Sequence, residues 1–472
     1  MTISPRTYFF CGIGGSGMSA LALALMAEGH IVKGSDRSHD QGQSPDKFKA
    51  LADAGVVILP QDGSGIDATV STLVVSSAIE ESIPDVKAAR ALNLPIQKRA
   101  ELLAELFNSR RGIAVGGTSG KSTVTGMLGH ILNQAGLDVT VINGATMMNA
   151  VAQGAQGLGN AVIGKSGIIV IEADESDGSI ALYQPAISVL TNITLDHKPV
   201  DQVRPLFVDF LRKAREGAVV NLDDAEAGQL TAENPLRTLT FSHSQQAASL
   251  YADNIVYGAE KVSFRVNEDQ GSALADVILP VPGRHNVENA LTAIGAARMA
   301  GVSLADCALA LSSFKGVKRR LEFVGRAHDI SVIDDFAHNP DKIAASLSAL
   351  RQSPGRLIVI FQPHGYGPMR MMRKEIVESF VKGMAANDVL LMPDIFYAGG
   401  TTQKDISSAD LINDVTNGGR VARHLPTRDL IRDFIRAEAR KDDRIVVMGA
   451  RDDTLTDFCH AILSDIKAAP CP

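Results

Sequence analysis

The chain has 472 residues, 46 of them lysine or arginine and 53 aspartate or glutamate, for a formal net charge of -7. At roughly 100 to 200 residues per domain this length predicts about three domains. Apolar residues at 45% and charged residues at 21% exclude a disordered tail or a fibrous repeat, and the acidic balance offers no basic field to hold a nucleic-acid backbone. Cys11, Cys307, Cys459 and Cys471 show no metal-ligand spacing, which suits a reducing compartment, and the expected location is the cytoplasm.

In chain order, residues 7–11 read as a strand, 18–28 as a helix, 31–33 as a strand, 44–54 as a helix and 73–76 as a strand, which is a wound βαβ sheet. The stretch 7–27 carries no charged side chain and resembles a signal-peptide core. Gly12, Gly14, Gly15, Ser16 and Gly17 interrupt it where a membrane segment would need continuous helix, so neither secretion nor membrane insertion is expected. A second start follows: a strand at 112–116, a glycine turn and a helix over about 121–135. Strands at 167–172 and 187–191 continue it, then shorter strand-like pieces between 238 and 279, and helices from His285 onward. Residues 150–165, rich in small side chains, read as a mobile loop. A third alternation begins after Arg320, with strands at 331–334, 356–361, 389–392 and 444–448 and a helix at 341–350. The expected domains are 1–108, 109–321 and 322–472.

Four motifs can carry chemistry. Gly12-Ile13-Gly14-Gly15-Ser16-Gly17 is a GxGxxG turn between strand and helix, with Asp36 at the end of the next strand. Glycines let the backbone approach a pyrophosphate, the helix start offers free N–H groups, and the acid can accept bonds from a ribose; the turn does not say which nucleotide. Gly117-Thr118-Ser119-Gly120-Lys121-Ser122-Thr123 is a shortened phosphate loop, with Val115 where a strict P-loop has glycine. Its N–H groups can cradle phosphates, Lys121 can reach β and γ oxygens, and Ser122 or Thr123 can coordinate Mg²⁺. The strand ending at Glu172-Ala173-Asp174-Glu175-Ser176-Asp177 puts acids where a metal-binding carboxylate belongs; a solvated acidic loop suits Glu175 or Asp177 better than Glu172. Thr191-Asn192-Ile193-Thr194-Leu195-Asp196-His197 is another strand end, and His197 beside a phosphate loop is a candidate metal or phosphate contact.

The order GIGGSGMSA, VVSSAI, KRAELLAEL, GTSGKST, IEADESDGS, TNITLDH, GRHNVENA, VKRRLE, DDFAHNP and FQPHGYGPMR resembles the Mur ligases, ATP-dependent amide-forming enzymes of bacterial cell-wall synthesis, over almost the whole chain. The opening turn with SSAI and EADESD resembles the branch that adds alanine or recycled tripeptide to the sugar nucleotide. The resemblance implies an α/β fold of three domains: an N-terminal Rossmann-like domain for a UDP-sugar, a central P-loop ATPase-type domain with a mostly parallel sheet, and a C-terminal Rossmann-like domain for the amino substrate. Gly12, Gly14, Gly15, Ser16, Gly17, Asp36 and Ser77 would then hold the UDP-sugar. Gly117 to Thr123 would bind ATP, with Lys121 on the γ-phosphate and Ser122, Glu172 and His197 serving Mg²⁺. His285, Asn286 and Asn289 would lie near adenine, Arg320 and Asp335 would contact ATP across the domain junction, and His338, His364 and Arg370 would face the amine. The implied partners are a UDP-sugar carboxylate and an amino acid or peptide, with no nucleic acid or membrane, in a monomer or weak homodimer.

The sequence departs from that pattern after QPH. Gly365 and Pro368 replace two arginines of the alanine enzyme's usual RYTRTR, only Arg370 stays in register, and Pro60-Gln61 replaces a GH pair. Arginine is the bidentate carboxylate ligand, so an amine larger than alanine is expected, and a specialised ligase outside the main cell-wall pathway is an alternative. Two other classes compete. An oxidoreductase explains the first turn and Asp36 but gives the second phosphate loop no work; a P-loop switch explains residues 117–123 but leaves the first turn idle.

Overall fold

The computed structural model describes residues 4–76, 80–154, 158–194, 199–233, 236–258, 260–397, 403–450, 452 and 454–469. They form three α/β domains, each built on its own sheet. The first sheet contains β1 (Thr7–Cys11), β2 (Ile31–Ser35), β3 (Val57–Leu59), β4 (Thr72–Val75) and β5 (Ile96–Lys98) in the order β3-β2-β1-β4-β5, with every pairing parallel. The order reverses between β1 and β4, and the turn after β1 stands at that switch point, where open α/β sheets bind ligands.

The second sheet has ten strands: β6 (Arg111–Gly116), β7 (Thr140–Ile142), β8 (Ala161–Val162), β9 (Ile168–Glu172), β10 (Ile187–Leu190), β11 (Gly217–Asn221), β12 (Thr238–Ser242), β13 (Leu250–Tyr257), β14 (Val262–Glu268) and β15 (Ala273–Leu279). Their order is β15-β14-β13-β12-β11-β10-β6-β9-β7-β8. The central strands β11, β10, β6, β9 and β7 are parallel and covered on both faces, so β10 and β11 are buried at every residue. By contrast β14 alternates buried and half-buried residues, the pattern of a sheet with one face toward solvent. The third sheet comprises β16 (Glu322–Ala327), β17 (Ile330–Asp335), β18 (Leu357–Gln362), β19 (Val389–Met392), β20 (Val421–His424) and β21 (Arg444–Gly449). The order is β16-β17-β21-β18-β19-β20, parallel except for the antiparallel edge strand β16.

The chain divides into two compact units: one holds the first two sheets up to Val317 except residues 257–262 and 281–284, and the other holds those two segments and the third sheet from Lys318 onward. Within the first unit, the helix Ser16–Ala27 is buried at every residue from Met18 to Leu25, because it packs on its own sheet and also against β7 and β8. A helix apolar all round belongs between two layers, which explains the uncharged stretch that resembles a signal peptide. Asn160 donates from Nδ2 to the Ser16 carbonyl at 2.6 Å and to Ser19 Oγ at 2.9 Å, so the loop before β8 clasps the start of that helix. The expected mobile loop at 150–165 is thus partly ordered: it takes in the end of a short helix, Met148–Ala152, and the edge strand β8. Residues 155–157 lie outside the described residues. Phe107, Phe207, Phe210 and Phe241 are fully buried in this unit, each ring worth about 1.5–3 kcal/mol of transfer free energy. Among the described residues no helix is long and apolar enough to cross a membrane.

Candidate active site

Three loops meet where the strands of the central sheet end. They follow β6, β9 and β10, and neighbouring parallel strands bring them together from positions 50 to 76 residues apart in the chain. Gly117 has φ +133°, and a Cβ there would stand 1.9 Å from Thr191 Oγ1; Gly120 has φ +86°, and a Cβ there would stand 2.5 Å from Asn289 Oδ1. Both positions therefore require glycine. The helix Lys121–Gln134 begins directly after Gly120 with no side-chain cap on its first turn. Its N–H groups and positive dipole end present an anion-binding surface.

Side chains of the β10 loop shape the phosphate loop. Asn192 accepts at Oδ1 from Thr118 Oγ1 at 2.7 Å and from the Ser119 N–H at 2.9 Å, and donates from Nδ2 to the Ser119 carbonyl at 3.0 Å. The sequence reading gave Asn192 no role; its signal was a polar residue at the end of an apolar strand, one residue after Thr191, whose Oγ1 donates to the Ser119 carbonyl at 2.8 Å.

Lys121 donates from Nζ to the Gly117 carbonyl at 2.6 Å and to Glu175 Oε2 at 2.7 Å. Glu175 is 4% exposed, so the expectation of a solvated acid at this position is wrong: the loop after β9 turns inward and buries it against the lysine. Its neighbour Asp174 feels the same charge. Burial pushes the Asp174 carboxyl up, but Lys121 and two hydrogen bonds from Ser176 more than offset it and hold the group below the usual carboxylate range.

Glu172 takes the Gly144 N–H on Oε1 at 2.6 Å and the Ser122 hydroxyl on Oε2 at 3.1 Å. A serine hydroxyl and a carboxylate are hard oxygen donors. Among the described residues no group of three or more His, Cys, Asp or Glu side chains stands together as a metal site. Such a sparse donor set fits Mg²⁺, which keeps several waters and takes the rest of its shell from phosphate oxygens. His197 and Ser77 lie outside the described residues. Asn289 stands against Gly120 and donates to Asn286 Oδ1 at 3.1 Å, both on the helix Arg284–Met299. Burial depresses the His285 imidazole on that helix to about 4.

At the first glycine turn, the Gly14 N–H donates to Asp36 Oδ2 at 2.9 Å and the Ser38 N–H to Oδ1 at 2.9 Å, so Asp36 braces the turn and caps the short helix Arg37–Asp40. The helix Ser16–Ala27 has no side-chain cap. A Cβ on Gly17 would meet the Arg99 guanidinium at 3.2 Å, and Arg99 lies 3.9 Å from Asp177 of the loop after β9. Arg99, within KRAELLAEL and given no role by the motifs, is thus a cation between the first glycine turn and the loop after β9.

In the second unit, Asp335 accepts from the Leu321 N–H at 3.1 Å and from Ser346 Oγ; burial pushes its carboxyl up. The Arg320 guanidinium lies 5.1 Å from the centroid of the Phe336 ring. The rings of His338 and His364, on the loops after β17 and β18, are 5.6 Å apart, and His338 Nδ1 is 2.8 Å from the Phe336 carbonyl. Burial first, then the nearby Lys342, His364 and Arg320, depress the His338 imidazole to about 4 against the partial offset of that carbonyl. A histidine kept neutral in the folded state gives stability that is complete above its unfolded pKa near 6.5 and lost as the pH falls toward 4. Unfolding free energies measured from pH 7 to pH 4 should therefore fall, by on the order of 1 kcal/mol per pH unit for this group, and His338→Asn should flatten the slope. An unchanged slope would remove His338 as its cause. Arg370 bonds to Asp405 and to the Gln403 carbonyl.

The two turns, one braced by Asp36 and the other feeding an uncapped helix beside paired acids, are the glycine-rich strand-to-helix turns of a nucleotide-binding type of α/β protein. Three family models match in succession: the Mur ligase family catalytic domain over residues 7–111, the Mur ligase middle domain over 115–297, and the Mur ligase glutamate ligase domain over 319–451. The chain is 34% identical over 451 residues to the UDP-N-acetylmuramate--L-alanine ligase of Desulfotalea psychrophila, covering 93% of this chain and 94% of that one. It is 37% identical over 458 residues to the enzyme of the same name from Solibacter usitatus, covering 95% and 93%. Among solved structures, the UDP-N-acetylmuramate-alanine ligase of Thermotoga maritima superposes with a TM-score of 0.79 at 23% identity, covering 98% of this chain and all of that one. A murein peptide ligase from Psychrobacter arcticus gives a TM-score of 0.70 at 26% identity, covering 98% and 99%. The chain belongs to the Mur ligase family. It is an ATP-dependent ligase that joins a carboxylate to an amine.

Proposed function

We propose that this ligase joins the carboxylate of UDP-N-acetylmuramate to an amino acid or peptide through an acyl phosphate, releasing ADP and phosphate. The observation that carries the reading is the convergence of Lys121, Ser122, Glu172 and Glu175 at the start of one uncapped helix. The sugar carboxylate forms a bond to the γ-phosphorus of ATP as the bond to ADP breaks. The amine nitrogen then attacks the acyl carbon, the tetrahedral intermediate expels phosphate, and the nitrogen loses its proton.

Lys121 is proposed to leave Glu175 for the γ-phosphoryl oxygens, where its charge matters most in the transition state. Ser122 and Glu172, with His197, are the proposed holders of Mg²⁺, which when bound neutralises charge on the phosphate oxygens. Gly12, Gly14, Gly15, Ser16, Gly17, Asp36 and Ser77 are assigned to the UDP-sugar. His285, Asn286 and Asn289 are assigned to adenine, Arg320 and Asp335 to ATP, and His338, His364 and Arg370 to the amine domain's side of the reaction. Gly365 and Pro368, in place of two arginines, support an amine larger than alanine. Phosphate release measured with ATP, UDP-N-acetylmuramate and an amine panel tests the scheme. Release is expected only when all three are present; equal release without the sugar nucleotide or without the amine would overturn it.

A further inference from the structure

Arg370, the one arginine kept in register after QPH, is not an available cation. Its Nε donates to Asp405 Oδ1 at 2.9 Å, and a terminal nitrogen reaches Asp405 as well and donates to the Gln403 carbonyl at 2.9 Å. A substrate carboxylate arriving there would have to displace Asp405. The same bonds grip the chain on both sides of Lys404. The Lys404 ammonium lies 5.0 Å from the centroid of the Tyr397 ring and 5.8 Å from that of Tyr366, within cation–π range of both. It has no carboxylate partner among the described residues.

The two tyrosines are held as a pair. The Gly365 N–H donates to the Phe396 carbonyl at 2.9 Å and the Phe396 N–H to the Pro363 carbonyl at 2.8 Å, which clasps the loop after β18 to the loop after β19. The Tyr366 and Tyr397 rings consequently pack edge to face, 5.3 Å between centroids. The Tyr397 hydroxyl is buried without a hydrogen-bond partner among the described residues, a cost normally avoided unless something else satisfies it. An ammonium and a hydroxyl, each without a carboxylate or hydrogen-bond partner among the described residues, thus stand together beyond the carboxyl ends of adjacent parallel strands, where such sheets take their ligands. In the same clasp the His364 backbone bridges Phe396, next to Tyr397, and the His364 ring packs edge-on against that of His338.

We propose that Lys404 binds the carboxylate of the incoming amine substrate, with Tyr397 Oη as a second donor, and that Arg370 is a positioning residue that aims Lys404. The proposal rests on the reading that the third domain receives the amine. An ammonium is a point charge on a flexible stem where arginine is a rigid fork, so it accepts a carboxylate over a range of positions. That suits an amine longer than a single small amino acid.

Steady-state phosphate release with L-alanine, L-alaninamide, a tripeptide and the tripeptide C-terminal amide tests it, since each pair differs only in the carboxylate. In the wild-type protein each acid should have a KM at least about tenfold below that of its amide. Lys404→Gln should raise KM for the acids by about that factor, leave kcat nearly unchanged and leave the amides unaffected. Lys404 is exposed, so folding is not at risk. Arg370→Gln should raise the same KM values by a smaller factor and likewise spare the amides. If Lys404→Gln changes acids and amides equally, or neither, the assignment of Lys404 falls while the ligase reading stands. If the wild-type protein releases no phosphate with any amine, the ligase reading falls and takes this proposal with it.

Discussion

Lys121→Ala should lower phosphate release by about 10²- to 10³-fold, the range seen when one preorganised group that stabilises transition-state charge is removed. The lysine is held at the loop by the Gly117 carbonyl, and its bond to Glu175 is the one to be exchanged for the phosphoryl oxygens. Truncation has a second effect, because it strands a buried carboxylate, and removing one partner of a buried pair is destabilising. The double variant Lys121→Ala/Glu175→Gln separates the two effects: it should recover thermal stability without recovering turnover. Near-native phosphate release from either variant would show that Lys121 does not act on the transferred group.

The second large effect is expected at Glu172. Its two oxygens hold the Ser122 hydroxyl and the Gly144 N–H, so one carboxylate orients both a proposed metal ligand and the backbone of the loop after β7. Glu172→Ala should shift the Mg²⁺ titration of activity to concentrations roughly ten- to a hundredfold higher, the range for losing a group that orients a metal site. The proof lies in the shape of the titration. A Mg²⁺ midpoint equal to that of the wild type, with activity lowered at all concentrations, would make Glu172 a scaffold for Ser122 and Gly144 alone.

What the sequence displays best is what short spacing decides. The strand, glycine turn and helix around Gly117 follow one another within the chain, and so do those around Gly12, so both glycine turns are legible without a structure. Glu175, Asn192 and Arg99 are not legible in the same way. Each acquires its place from a residue far away in sequence: Glu175 from Lys121, Asn192 from Ser119, Arg99 from Gly17. An acidic run such as 172–177 looks solvated until the fold turns part of it inward. Arg370 shows the converse. Its register after QPH is readable, but its engagement by Asp405 depends on a loop 35 residues later. The apolar stretch at the N-terminus misleads for a related reason, since a helix buried on all sides has the composition of a membrane segment.

That helix also bears on the entropy of the reaction. The residues Ser16–Ala27 carry the first glycine turn, the proposed sugar-nucleotide site, at one end, pack against strands β7 and β8 of the second sheet, and are fastened at their start by Asn160. On the proposed assignment, a sugar nucleotide seated on the first turn would be placed relative to the phosphate loop by core packing. Folding would then supply in advance part of the effective molarity of the proposed phosphoryl-transfer step, of the kind that well-oriented intramolecular reactions display.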